Sequence, residues 1–216
     1  MAQQEAVRTS LTGAALVRLL DALADSRTRV RDARASFADG LVQWVGWADA
    51  IALSAALERP PVAVNPEGPT FDARAECDRI RAHLAKSMAR EAAATDADMV
   101  YTLFRRRYVA QQQSMEDSIT ALRDRVRTAV AARSPALSRL AAVDLVMAQA
   151  LGVQERRLLG TVPGKLEKYC RRLRKEYEDS DDWVSLFRHD MQAVLLAELD
   201  LRMQPVEGLI EALNED

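Results

Sequence analysis

The run Asp96–Arg133, DADMVYTLFRRRYVAQQQSMEDSITALRDRVRTAVAAR, is the longest stretch without a helix breaker, and its reading decides the fold class. It contains neither Gly nor Pro. Its apolar residues return at spacings of three and four, the mark of a helix with one seam turned inward. Tyr101, Tyr108, Met115, Leu122 and Ala129 stand seven apart, with Ile119 and Val126 alternating between them. Arg105, Arg106, Arg107, Asp117, Arg123, Asp124, Arg125 and Arg127 surround that seam and suit a solvated face. At about 1.5 Å per residue the run spans roughly 55 Å. It predicts the long helix around which an all-α protein is organised.

The flanking sequence extends the same pattern. Thr12 is expected to cap a helix ending at Leu23, with Leu16, Leu19, Leu20 and Leu23 on one side. Residues 1–10 read as a mobile N-terminus, and the charge-rich residues 25–35 as a turn or linker. Ser36 is expected to cap a helix over Phe37–Glu58, apolar on nearly every side. Phe37, Leu41, Trp44, Ala48, Ile51 and Ala55 share one face, while Val42, Leu53 and Leu57 point away from it. A helix of that kind asks for cover all round, so it is the predicted core partner of the long helix. Four of the seven prolines fall in residues 59–69, a proline-rich loop. Thr70 is then expected to cap Phe71–Ala94, whose core stripe is Cys77, Ile80, Leu84 and Met88.

Beyond the long run, Ser134-Pro135 predicts a helix start, Ser as cap and Pro in the first turn. That helix carries Leu137, Leu140, Val143, Leu145 and Val146 and reaches Leu159. A break at residues 160–164 precedes a helix over Lys165–Glu178 that buries Leu166, Tyr169, Cys170, Leu173 and Tyr177. Ser180, Asp181 and Asp182 open the next helix, and Pro205 is expected to start a separate short tail. The expectation is a single domain over residues 1–216, an elongated antiparallel bundle of about seven helices.

Composition agrees and narrows the function classes. The 216 residues are 49% hydrophobic and 29% charged, ordinary for a globular chain, and only 5% aromatic, which favours helix over strand. A formal net charge of −2 supplies no global pull toward nucleic acid or anionic membrane. Cys77 and Cys170 occupy apolar helix positions, consistent with buried free thiols and a reducing cytoplasm. The N-terminus shows no signal-peptide pattern. Leu41–Leu57 is the only membrane-span suspect, and Gln43 and Asp49 interrupt it. No transmembrane segment is expected.

Chemistry-bearing motifs are sparse. The two histidines, His83 and His189, lack the Glu three residues earlier that a helical di-iron site uses. His189-Asp190 has the dipeptide of metal-dependent phosphohydrolases, without the further His and Asp ligands such a site needs. Neither cysteine has a companion at zinc-ligand spacing, and no glycine-rich phosphate loop or nucleophile elbow occurs. No catalytic, metal or cofactor residue is assigned, and a non-enzymatic role is expected. A hydrolase centred on His189-Asp190 is the alternative.

Two basic clusters remain, Arg105-Arg106-Arg107 on the long helix and Lys165, Lys168, Arg171, Arg172, Arg174 and Lys175 on the sixth. Glu167 stands four residues before Arg171, and Glu178 four after Arg174, the arrangement of a solvated ion-paired helix. As partner-binding candidates these residues suit an acidic protein surface better than nucleic acid, whose contact wants an unbalanced stripe and a recognition element. The seam positions Ile119, Leu122 and Val126, with Gln112 as the polar interruption that fixes register, are the candidates for self-association as a homodimer or for a helical partner.

Three runs carry a resemblance: SFADGLVQWVGWADAIALSAAL over Ser36–Leu57, FRRRYVAQQQSM over Phe104–Met115 and RSPALSRL over Arg133–Leu140. The chain resembles a bacterial family catalogued as domain of unknown function 3348, over most of its length. These motifs label the family and bring no catalytic residues with them. The resemblance implies a cytoplasmic helical interaction or scaffold protein, an accessory of an envelope or proton-channel-like membrane complex.

Overall fold

The computed structural model describes residues 12–24, 46–58, 71–93, 101–177, 180 and 182–215. Among these the protein is all-α: seven helices and no strand. They are α1 (Thr12–Leu23), α2 (Trp47–Glu58), α3 (Ala73–Ala93), α4 (Tyr101–Ala131), α5 (Pro135–Leu159), α6 (Val162–Glu176) and α7 (Asp182–Glu215). The N-terminal residues 1–10, the charge-rich segment 25–35, Ser36 with the first turns of its helix, the proline-rich loop 59–69 and residues 96–100 lie outside the described residues.

The long helix is present as α4, 31 residues. It is not the longest element. Helix α7 runs for 34 residues straight through Pro205, which was expected to begin a separate tail. The missing N–H costs one backbone bond, but Met203, Val206, Leu209 and Ile210 around the proline are all buried. Burial of that apolar face outweighs the loss and keeps the helix continuous.

Cap chemistry accounts for two helix starts. The Ser134 hydroxyl accepts a hydrogen bond from the Leu137 N–H at 3.3 Å, and Pro135 fills the first turn of α5 as expected. Helix α3 begins at Ala73 because the Asp72 carboxylate accepts from the Ala75 N–H at 2.9 Å, taking the capping role expected of Thr70. Helix α6 starts at Val162, earlier than the expected Lys165. Pro163 sits in its first turn, where a proline is tolerated.

The chain divides into two compact units. One comprises Met1–Thr28, Asp78–Thr120 and Thr161–Gln204; the other comprises Arg29–Cys77, Ala121–Gly160 and Pro205–Asp216. In the first unit α1 packs on α6. Its interior contains Leu84, Met88, Met115, Leu166 and Leu199, and an aromatic cluster on Phe187. Phe104 meets that ring edge-on at 4.9 Å, with Tyr169 at 6.1 Å and Tyr101 at 6.5 Å.

In the second unit α2 packs on α5, and Leu122, Val126, Val130, Leu137, Ala141 and Ile210 are buried. The Asp144 carboxylate accepts from Arg123 Nε at 3.0 Å and Arg127 Nε at 3.0 Å, tying α5 to α4. Arg125 lies over the Phe71 ring at 5.7 Å and pairs with Glu76. Helix α2 departs from expectation. Only Ala56 of its described side chains is buried, while Ile51 and Leu57 are 54% and 57% exposed. Five of its twelve residues are alanine, which count as apolar on a wheel yet offer little area to bury. Helix propensity, its packing on α5 and the Asp49 carboxylate, which accepts from the Gly46 N–H at 2.9 Å, hold the helix.

By length and composition, Pro135–Glu176 contains a window apolar enough to cross a membrane, of mean hydropathy 1.4 and 17% buried. The expected suspect was Leu41–Leu57. The polar residues Arg139 and Asp144 interrupt the α5 portion of that run, and Asp144 is held by two arginines.

Candidate site: a buried carboxylate and an exposed basic face

Among the described residues of the first unit, the Glu198 carboxylate is fully buried, with 0% exposure. It sits in the otherwise apolar run Val194–Leu199 of α7 and would be prohibitively costly there without partners. Three side chains meet that demand. The Tyr108 hydroxyl donates to Oε2 at 2.8 Å, and Gln112 Nε2 lies 3.0 Å from both carboxylate oxygens. Arg202, one turn on, donates to Oε1 from Nε at 3.1 Å and Nη2 at 3.0 Å. Burial and then the Glu198 charge push the Tyr108 phenol far above its ordinary value. The result is a polar clamp closed on itself, joining α4 to α7.

Beside the clamp, Met88, Phe104, Arg107, Tyr108, Arg188 and Met191 line a crevice of about 10 Å³. That is room for roughly one water molecule, too little for an organic substrate. Asp190, half of the His189-Asp190 dipeptide, accepts a hydrogen bond from the Tyr169 hydroxyl. Burial and then this bond raise the Tyr169 phenol. His83 and His189 are both exposed. Among the described residues no three His, Cys, Asp or Glu side chains cluster so as to hold a metal ion. Cys77 and Cys170 are buried free thiols.

The partner-binding candidates separate into three groups. Ile119, Leu122 and Val126 are buried beneath the protein's own helices, Leu122 and Val126 completely. At these three positions the seam is covered within the chain. Gln112 is half-buried and committed to Glu198, so its polarity serves an internal bond between helices. Arg107 lines the crevice.

The third group is exposed. Arg105 and Arg106 on α4 and Lys168, Arg171, Arg174 and Lys175 on α6 all face solvent, with Lys165 beside them. Arg172 is half-buried, 5.3 Å over the Tyr169 ring and 3.7 Å from Glu176. The two basic clusters, distant in sequence, share one neighbourhood. The Tyr101 hydroxyl donates to the Pro163 carbonyl. Its phenol, pushed up to about 12 by burial first and then by Glu167, is drawn back down by Arg105 from α4 and Arg171 from α6. Arg171 also pairs with Glu167, while Lys165, Lys168, Arg174 and Lys175 make no ion pair among the described residues.

Fold and site together define an all-helical protein with an internally satisfied polar clamp and an outward basic face. The match to a family model covers residues 1–215, virtually the whole chain, and the chain belongs to that family, described as "Protein of unknown function (DUF3348)". Comparison with curated proteins and with solved structures gives no match.

Proposed function

We propose that the protein is a non-enzymatic helical interaction protein that docks an acidic partner through the exposed basic face of α6, with Arg105 of α4 beside it. One observation carries this reading. Lys165, Lys168 and Lys175 make no ion pair among the described residues and stand outside the buried stripe of Leu166, Tyr169, Cys170 and Leu173. A solvated helix that merely balances its charges would interleave acids, whereas Val162–Glu176 carries six cations against Glu167 and Glu176. Ile119, Leu122 and Val126 of the α4 seam are covered, and the cations of α6 are not. A cytoplasmic accessory of a membrane complex is a role that this face suits, because such a role needs a partner surface and no chemistry.

Affinity capture from the native host, wild type against Lys165→Glu/Lys168→Glu/Lys175→Glu, tests the proposal. The wild type should retain a partner that elutes at about 0.5 M salt, where screening is short-ranged, and the variant should lose it. Retention of the same partner by the variant defeats the reading. The hydrolase alternative has its own test: stoichiometric metal in the purified protein that disappears in His189→Ala.

A further inference from the structure

We propose that the α6 face binds an α-helical protein segment bearing carboxylates three and four residues apart. This rests on the reading of that face as the docking surface and goes beyond it by naming what docks.

Lys165, Lys168, Arg171 and Lys175 are spaced three, three and four residues apart and are all exposed. At about 100° and 1.5 Å per residue they fall within a sector of roughly 120° and a ridge about 15 Å long. Opposite that sector lies the buried stripe, so the ridge faces straight outward. Glu167 falls on one side of it and Glu176 on the other, paired with Arg171 and Arg172. A ridge walled by an acid on each flank suits a narrow partner. A helix about 10 Å across meets the cations and passes between the acids. A flat anionic bilayer or a duplex, each broader than the ridge, sets its phosphates against Glu167 and Glu176 as well.

Two further features favour a helix. Gly164 lies in the same sector at the start of the ridge, and a side chain added there would meet nothing within 4 Å. The backbone of α6 is therefore bare where a partner backbone has to approach. The whole chain carries −2, so an extended polyanion feels no long-range attraction. A short acidic stripe senses only the ridge within a Debye length of about 8 Å. No apolar side chain interrupts the ridge, and binding should be fast and salt-sensitive.

The experiment uses the full chain and four labelled probes. These are a helical peptide of about twenty residues with glutamates along one face, the same composition with its glutamates spread around the helix, vesicles of three parts phosphatidylcholine to one part phosphatidylglycerol, and a short DNA duplex. The striped peptide should bind about tenfold or more tightly than the dispersed one and weaken as salt rises. Lys165→Glu/Lys168→Glu/Lys175→Glu should abolish that binding with an unchanged thermal melt. Equal affinity for the two peptides overturns the helical partner. So does tighter binding of vesicles or duplex that the variant also loses, although that outcome keeps the ridge as a docking surface. No binding to any probe, or binding indifferent to the variant, overturns both this inference and the reading beneath it.

Discussion

Helices α6 and α7 each place a glutamate four residues ahead of an arginine, and the two pairs have opposite fates. Glu198 and Arg202 have side chains 0% and 7% exposed, held 3.0 Å apart inside the first unit. Glu167 and Arg171 are 33% and 75% exposed. The same spacing supplies the same local attraction, so the difference lies in what surrounds each pair. Around Glu198 the neighbours are Tyr108 and Gln112, which complete the carboxylate's hydrogen bonds. Glu167 is bonded to Arg171 and lies partly open to solvent, near the Tyr101 phenol. An ion pair becomes structural only when dehydration makes its partners obligatory.

The widest separation between the two pairs should come from Glu198→Ala. It leaves Arg202 charged and buried, and it strips Tyr108 and Gln112 of their acceptor. A loss of about 3–5 kcal/mol in denaturant unfolding is expected, the usual cost of breaking a buried pair from one side. A loss below about 1 kcal/mol, the surface value, would show that the clamp is wet and would collapse the comparison.

Asp144 tests the middle of the scale. It is 11% exposed between Arg123 and Arg127, which are 19% and 13% exposed. Asp144→Ala should cost about 1–3 kcal/mol, because two half-buried guanidiniums lose their shared acceptor while each keeps some access to water. A cost equal to that of Glu198→Ala would mean that burial does not rank these sites.

Tyr108→Phe removes a single donor from the clamp and should cost about 1–2 kcal/mol by chemical unfolding. The phenols also set the alkaline limit. Tyr101 is raised from 10.0 to about 12, by burial first and then by Glu167, and Tyr108 is raised further by burial and then Glu198. The folded protein thus keeps protons that the unfolded chain releases above pH 10. Stability is complete below that point and falls as pH rises through the window from 10 to 12. Melting temperature across that range checks the sign, and a flat profile would mean that the phenols are solvated.

These energies explain why the sequence disclosed the helices better than the site. Alternation of Tyr101, Tyr108, Met115, Ile119, Leu122 and Val126 marks a face by itself, and Ser134-Pro135 marks a start, so α4 and α5 were legible. Glu198 was not, because a glutamate and an arginine four apart look alike inside and outside. Its one signal was position, an acid flanked by Val194, Leu195, Ala197 and Leu199. Pro205 misled for a related reason. Local propensity says stop, and burial of Met203 and Val206 decides otherwise. Helix α2 erred in the opposite sense, its alanines scoring as core on a wheel while leaving little to bury. The two basic clusters were legible as charge, but their meeting near Tyr101 depends on the docking of α6 to α4, which no spacing encodes.

The smallest effect belongs to Glu167→Gln, and it separates stability from binding. Removing this carboxylate deletes a pair with a partner that is 75% exposed, so the expected cost is about 0.2–0.5 kcal/mol and fades with added salt. A double-mutant cycle with Arg171→Ala should return a coupling no larger than that. The ridge feels the change differently. Without Glu167, one flanking acid is gone and Arg171 joins Lys165, Lys168 and Lys175 as an uncompensated cation. Affinity for an acidic helix should rise while the melt hardly moves, and binding to a broad anionic surface should rise more, because that surface no longer meets the acid on that side. A coupling above about 1 kcal/mol would place Glu167 with Glu198 as a structural carboxylate and leave the outer face of α6 without its distinguishing property, charge held at the surface at little cost to the fold.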